Sequence, residues 1–171
     1  MSEYLDLFDK QRRFTGQKIK KGTSIPEGAY ILVTIAWIVD SSSRFLVTRR
    51  SLKCSWHPGV WNAPGGGVTS GEDTLTATVR ETKEETGLLL NPENGELFCS
   101  YRDGSAFFDH WLFVQDFDIA GLKLQEDEVM DARAATWSEI NNMKERGECV
   151  GRKILNPNFD AFDLLKDRFD G

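Results

Sequence analysis

Glu81, Glu84 and Glu85 fall within five residues of one another, shortly after a run of three glycines at Gly65–Gly67. Carboxylates related by i, i+3 and i, i+4 share one face of a helix. Like charges at these spacings destabilise a helix by roughly 0.3 kcal/mol per pair. They also sit near the end of the helix where its dipole disfavours anions. Local energetics therefore do not choose this arrangement. A bound divalent cation reverses the sign of both costs. Hard oxygen ligands on one helix face suit Mg²⁺ or Mn²⁺, with waters and substrate phosphates filling the other positions. A solvated, charged helix face is the competing reading, and three glutamates alone do not exclude it.

The elements that must position these carboxylates can be read outward from them. Residues 73–86 contain no glycine or proline and stop at Gly87, which suits a helix end. Leu75, Val79, Thr82 and Thr86 fall on the side of that helix away from the glutamates. "AYILVTIAWIV" (29–39) is continuously apolar and reads as a buried central strand, with "FLVTRR" returning as its hairpin partner. "SLKCSWHPGVWNAPGGG" (51–67) reads as an irregular loop. Strands are expected at "GELFCSYR", "DHWLFVQDFD" and "ARAATWS", and helices near Glu139–Arg146 and Phe159–Phe169. Residues 1–24 are expected to form a strand pair, with its turn ending at Gly16, and a polar connector. Strands, helix, strands, helix in that order predict an α/β sandwich with a mixed sheet.

The chain has 171 residues, enough for one domain with a buried core, so residues 1–171 are read as a single unit. A net charge of −6 gives no reason to expect a nucleic acid polymer or an anionic membrane as partner. No apolar run approaches the roughly 20 residues that cross a bilayer. Cys54, Cys99 and Cys149 are widely spaced and odd in number, which suits free thiols in a reducing, cytoplasmic setting.

The series around the helix is Gly66, five residues, Glu72, seven residues, Arg80-Glu81, two residues, Glu84-Glu85, one residue, Gly87-Leu88. It resembles the Nudix box, G-x5-E-x7-R-E-U-x-E-E-x-G-U with U apolar, over residues 66–88, and only Thr82 departs from it, at an apolar position. The resemblance implies a Nudix-type α/β/α sandwich and a hydrolase of small-molecule diphosphates that uses Mg²⁺ or Mn²⁺. It implies Glu81 and Glu85 as metal ligands, Glu84 as a ligand or base, and the Gly66 carbonyl as a further ligand. Arg80 and Glu72 would orient the site through a charge-assisted pair. An acidic loop residue sometimes completes such sites, which makes Glu128, then Glu126, candidates. The catalytic set implied is thus Glu84, Glu85 and Glu128.

Much of the remaining chain resembles the branch that includes isopentenyl-diphosphate isomerase, which raises double-bond isomerisation as a rival activity. That family's cysteine and histidine positions carry Gly65 and Gly67 here, and its Glu-x-Glu strand pair falls on Asp109-His110-Trp111. The acid and base for carbon chemistry are therefore missing, while the hydrolase box is intact. A non-catalytic, ligand-sensing Nudix fold is a third reading, against which the full set of box glutamates argues.

Arg49 and Arg50 close a strand running toward the box and are candidate phosphate clamps, with an exposed strand end as the alternative. Trp56 is a candidate stacking surface, and His57 a weaker candidate substrate contact. Trp37 and Trp137 are expected to be core residues on strands. Phe107 and Phe108 are placed on a loop edge. The apolar edge of "LDLF" (5–8) suggests a homodimer.

Overall fold

A computed structural model describes residues 3–149. The expected second tail helix near Phe159–Phe169 lies outside the described residues. The apolar run folds as β3 (Ile31–Val39), at the centre of a seven-stranded sheet. Its partners are β4 (Arg44–Arg50), antiparallel, and β8 (Ala106–Val114), parallel and in register from Ile31↔Ala106 to Val39↔Val114. Beyond them lie β5 (Trp61–Asn62) and β9 (Val129–Thr136) on β4, β6 (Gly65–Gly67) on β3, and β7 (Gly95–Asp103) on β8. One parallel pair among antiparallel ones makes the sheet mixed.

Alternation along β3 splits the core into two layers. Ala36 and Ile38 pack with Leu46, Phe113, Leu75 and Val79, under α1 (Thr74–Thr86). Trp37 and Val39 pack with Phe45, Val47, Leu112, Trp137, Ile140 and Met143, over α2 (Trp137–Glu145). A helix on each face of one sheet is the α/β/α sandwich that the order of elements predicts. The N-terminal pair β1 (Tyr4–Phe8) and β2 (Phe14–Lys20) is a separate antiparallel ribbon.

Several expectations shift. The β1–β2 turn spans 9–13, and Gly16 lies inside β2 at φ 79°, where the register against β1 slips between Asp6 and Phe8. Glycine adopts that conformation without strain and lets the ribbon bulge. Phe107 and Phe108 are on β8, not on a loop edge. Phe107 is buried with Leu32, Val68 and Ala77, and Phe108 stacks on Tyr101 with centroids 5.4 Å apart. Trp137 is core, but it opens α2 behind a Thr136–Glu139 capping box instead of ending a strand. Leu5 and Leu7 of the N-terminal ribbon are buried within the chain itself.

Thr82, at the apolar box position, is fully buried and its Oγ1 has no hydrogen-bond partner among the described residues. An unpaired buried hydroxyl costs stability, and valine has nearly its shape. Thr82→Val should stabilise the fold by about 1 kcal/mol, read as a rise in melting temperature at unchanged activity. An unchanged or lowered melting temperature would show that the hydroxyl is satisfied in solution.

Candidate active site

α1 begins at Asp73, whose side chain accepts the Thr76 amide at 2.7 Å, and ends at Gly87 in the left-handed region, φ 74°. These caps fix its length, and its packing under the sheet fixes its rotation. Glu81 and Glu85 consequently point inward and are only 3% and 5% exposed. Glu84 points outward, its side chain half exposed.

The glycine strand lies directly over the two buried carboxylates. The Gly65 amide donates to Glu85 Oε2 at 3.3 Å. A side chain is excluded at Gly65, where a Cβ would stand 2.1 Å from the Thr34 carbonyl oxygen. At Gly66 a Cβ would come within 2.7 Å of the Glu81 carboxyl carbon. The glycines are there because backbone and carboxylate meet with no room between them.

Glu128 reaches the same place from the loop before β9. That loop is stitched to the end of α1 by Lys123 N–H to the Thr86 carbonyl at 2.8 Å and Gln125 N–H to the Glu85 carbonyl at 3.0 Å. The Ser51 amide then holds the Glu128 carbonyl at 2.8 Å. Carboxylate oxygens of Glu81, Glu85 and Glu128 lie within 4.8 Å of one another. Glu126, the second loop candidate, is not in this cluster.

Arg80 organises the other side. Its Nε donates to Glu72 Oε1 at 2.9 Å, and its Nη1 donates to Glu81 Oε1 and Glu84 Oε2, each at 2.9 Å. Its Nη2 reaches the Gly67 carbonyl at 3.2 Å. The Arg80–Glu72 pair expected from the sequence is present, and it anchors Glu72 to the turn that bears Thr69. Burial works against ionising Glu72, but hydrogen bonds from Arg80 and Thr69 hold its carboxyl below the usual range.

Arg49 and Arg50 separate. Alternation along β4 puts Arg50 on the α1 face with Leu46, and Arg49 on the α2 face with Phe45 and Val47. Arg50 donates to the Trp56 carbonyl at 2.8 Å, lies 5.2 Å from the Trp56 ring centre, and its charge is felt at Glu85. Arg49 donates to the Gly59 carbonyl at 2.9 Å. The structure thus gathers Arg50 and Trp56 near the cluster and leaves Arg49 behind the sheet. Lys21, which the sequence reading passed over, ion-pairs with Glu3 at 2.7 Å, and its charge is felt at Glu81. No spacing rule connects residue 21 to residue 81; only the docked ribbon does.

The cluster is electrostatically unbalanced. Burial, then the charges of Glu81 and Glu128, push the Glu85 carboxyl up to about 8. Burial also raises Glu81, against the pull of Arg80 and Lys21. Three carboxylates whose oxygens all face one small volume fit a hard divalent cation, which removes the repulsion that raises Glu85. Asp109 and His110 are not part of this cluster. Asp109 accepts hydrogen bonds from Arg12, Ser100 and Thr74, and His110 Nδ1 accepts one from Trp37 at 3.0 Å.

A pH dependence follows for the metal-free protein. Glu85 has a folded value near 8 against 4.5 unfolded, so its stability contribution is complete below pH 4.5 and lost as pH rises toward 8. Burial lowers His110 to about 4 from 6.5, so its contribution is present above pH 6.5 and lost as pH falls through 4. The two oppose each other at acid pH, and only the carboxylate effect remains between pH 6.5 and 8. Metal-free protein should lose about 2 kcal/mol across that window, measured by denaturant melts in EDTA. Saturating Mg²⁺ should flatten the loss. Equal slopes with and without Mg²⁺ would contradict a cation at this cluster.

The fold and the cluster define a class: an α/β/α sandwich presenting a carboxylate helix beneath a glycine strand. The chain belongs to the NUDIX domain family, which it matches over residues 29–156, and it is a Nudix hydrolase. It is 28% identical, over 92% of its length and 94% of the relative's, to an uncharacterised Nudix hydrolase of Listeria monocytogenes. It is 31% identical to the ADP-ribose pyrophosphatase of Methanocaldococcus jannaschii, over 81% of this chain and 80% of that one. A crystal structure from Deinococcus radiodurans superposes with a TM-score of 0.73 at 20% identity, covering 89% of this chain and 95% of that one.

Proposed function

We propose that this protein is a divalent-cation-dependent pyrophosphatase that hydrolyses the P–O–P bond of a nucleoside diphosphate linked to another moiety. The observation that carries the reading is the convergence of Glu81, Glu85 and Glu128 within 4.8 Å. These three, with Glu84 and the Gly66 carbonyl as further candidates, would hold Mg²⁺ or Mn²⁺. When bound, the cation neutralises the diphosphate and acidifies an attacking water. The chain's own groups do the rest. Arg80 and Glu72 fix the orientation of Glu81 and Glu84. Glu84 or Glu128, each solvent-exposed, takes the proton of the water. Arg50, on the cluster's face of the sheet, counters phosphate charge, and Trp56 offers a ring face beside it. Arg49 is left without a role at this site.

The name of the archaeal relative supports a nucleotide substrate. Isomerisation is disfavoured physically, because no cysteine fits at Gly65 and because Asp109 and His110 are committed elsewhere. Cys54 and Cys99 are free thiols, which accords with a cytoplasmic location. The test is a panel of ADP-ribose, NADH, dinucleoside polyphosphates, oxidised deoxynucleoside triphosphates and isopentenyl diphosphate, assayed with Mg²⁺. Phosphate is detected after phosphatase treatment. Release from a nucleotide compound only with the cation present is expected. Conversion of isopentenyl to dimethylallyl diphosphate, followed by NMR, would overturn the reading.

A further inference from the structure

The β1–β2 ribbon precedes the family-matched segment, which begins at residue 29, and it does not join the main sheet. It is nevertheless docked firmly. Leu5 bridges to Thr69, Phe8 bridges to Tyr30, and Asp6 accepts from Ser70 Oγ at 2.6 Å and from the Gly71 amide at 3.0 Å. Arg12 is ion-paired to buried Asp109. Between the ribbon and the box runs an open groove of about 440 Å³, a volume within the range of small-ligand sites. Glu3, Tyr4 and Lys18 form one wall; Thr69, Ser70, Arg80 and Glu84 form the other.

The groove adjoins the carboxylate cluster through a single side chain, since Arg80 Nη1 touches both Glu81 and Glu84. Its chemistry is specific. Glu3 is paired with Lys21 and Glu84 with Arg80, and the Ser70 and Thr69 hydroxyl protons go to Asp6 and Glu72, so these four groups line the groove as acceptors for vicinal hydroxyl groups. Tyr4 is 43% exposed and supplies a ring face for the C–H side of a saturated ring. The Lys18 ammonium lies 5.3 Å from the Tyr4 ring centre and has no carboxylate partner among the described residues. It can donate to a hydroxyl of the sugar.

We propose that this groove binds the sugar attached to the diphosphate, and that Tyr4 and Lys18 of the ribbon determine specificity for nucleoside diphosphate sugars. The inference rests on the pyrophosphatase reading and adds to it which moiety lies where. Because the ribbon is fixed by Arg12 and Asp6, the groove is preformed, and sugar specificity comes from an element outside the matched domain.

The experiment compares ADP-ribose with a nucleoside triphosphate, which has no terminal sugar, in wild type, Tyr4→Ala, Tyr4→Phe and Lys18→Gln. Circular dichroism melts confirm that each variant is folded. Tyr4→Ala and Lys18→Gln should each raise KM for ADP-ribose about five- to tenfold, with kcat nearly kept. Both should leave triphosphate hydrolysis within twofold, and Tyr4→Phe should behave as wild type. Equal losses on both substrates, no loss on either, or wild-type hydrolysis of the triphosphate alone would each overturn the groove assignment while leaving the pyrophosphatase reading intact. Wild-type inactivity on every compound would overturn that reading, and the assignment with it.

Discussion

Glu85→Gln should lower kcat by about a thousandfold, because it removes charge from a buried carboxylate at a site whose principal catalytic effect is electrostatic. The substitution keeps the shape of the side chain, and Gln Oε1 can still accept the Gly65 amide that now meets Glu85 Oε2. The same change should stabilise the metal-free protein, most of all near pH 8, because it deletes the group that burial and its two neighbours disfavour. Activity and stability therefore move in opposite directions, as expected where a fold holds repelling groups for function. Added Mg²⁺ should raise the melting temperature of the wild type and barely change that of the variant. Near-wild-type turnover in Glu85→Gln would remove Glu85 from the ligand set.

Arg12→Met should cost about 3 kcal/mol of stability. Asp109 is 1% exposed and is held ionised, against its burial, by hydrogen bonds from Arg12, Ser100 and Thr74. Removing the arginine leaves most of a negative charge buried with only hydroxyl partners. Arg12 sits at φ 61° in the β1–β2 turn, so the pair also latches the ribbon to the sheet. The double variant Arg12→Met with Asp109→Leu should recover much of the loss, since it removes both charges. Chemical denaturation of the single and double variants measures this directly. Additive losses would show that the two residues are not coupled.

The box was legible because its geometry is local. One helix period relates Glu81 to Glu85, and one glycine marks each end, so spacing alone placed these residues together. Burial was not legible: the same spacing groups Glu84 with its neighbours, and only the packing of Leu75 and Val79 under the sheet turns it outward. Glu128 could be named from the acidic run before a strand, but its arrival depends on backbone bonds from Lys123 and Gln125 to the helix end. The difference between Arg49 and Arg50 follows from strand alternation, once the buried positions of β4 are known. The ribbon was visible as two strands. Its docking was not, because Arg12 and Asp109 are 97 residues apart and neither belongs to a periodic pattern.

In the proposed reaction, water attacks a phosphorus atom bound over the carboxylate cluster. Hydrolysis of ADP-ribose in heavy-oxygen water, with products separated and weighed by mass spectrometry, tests it most directly. One heavy oxygen is expected in a phosphate of AMP or ribose phosphate, dependent on Mg²⁺ and lost in Glu85→Gln. Label in a sugar hydroxyl, or label appearing equally without the cation, would contradict it.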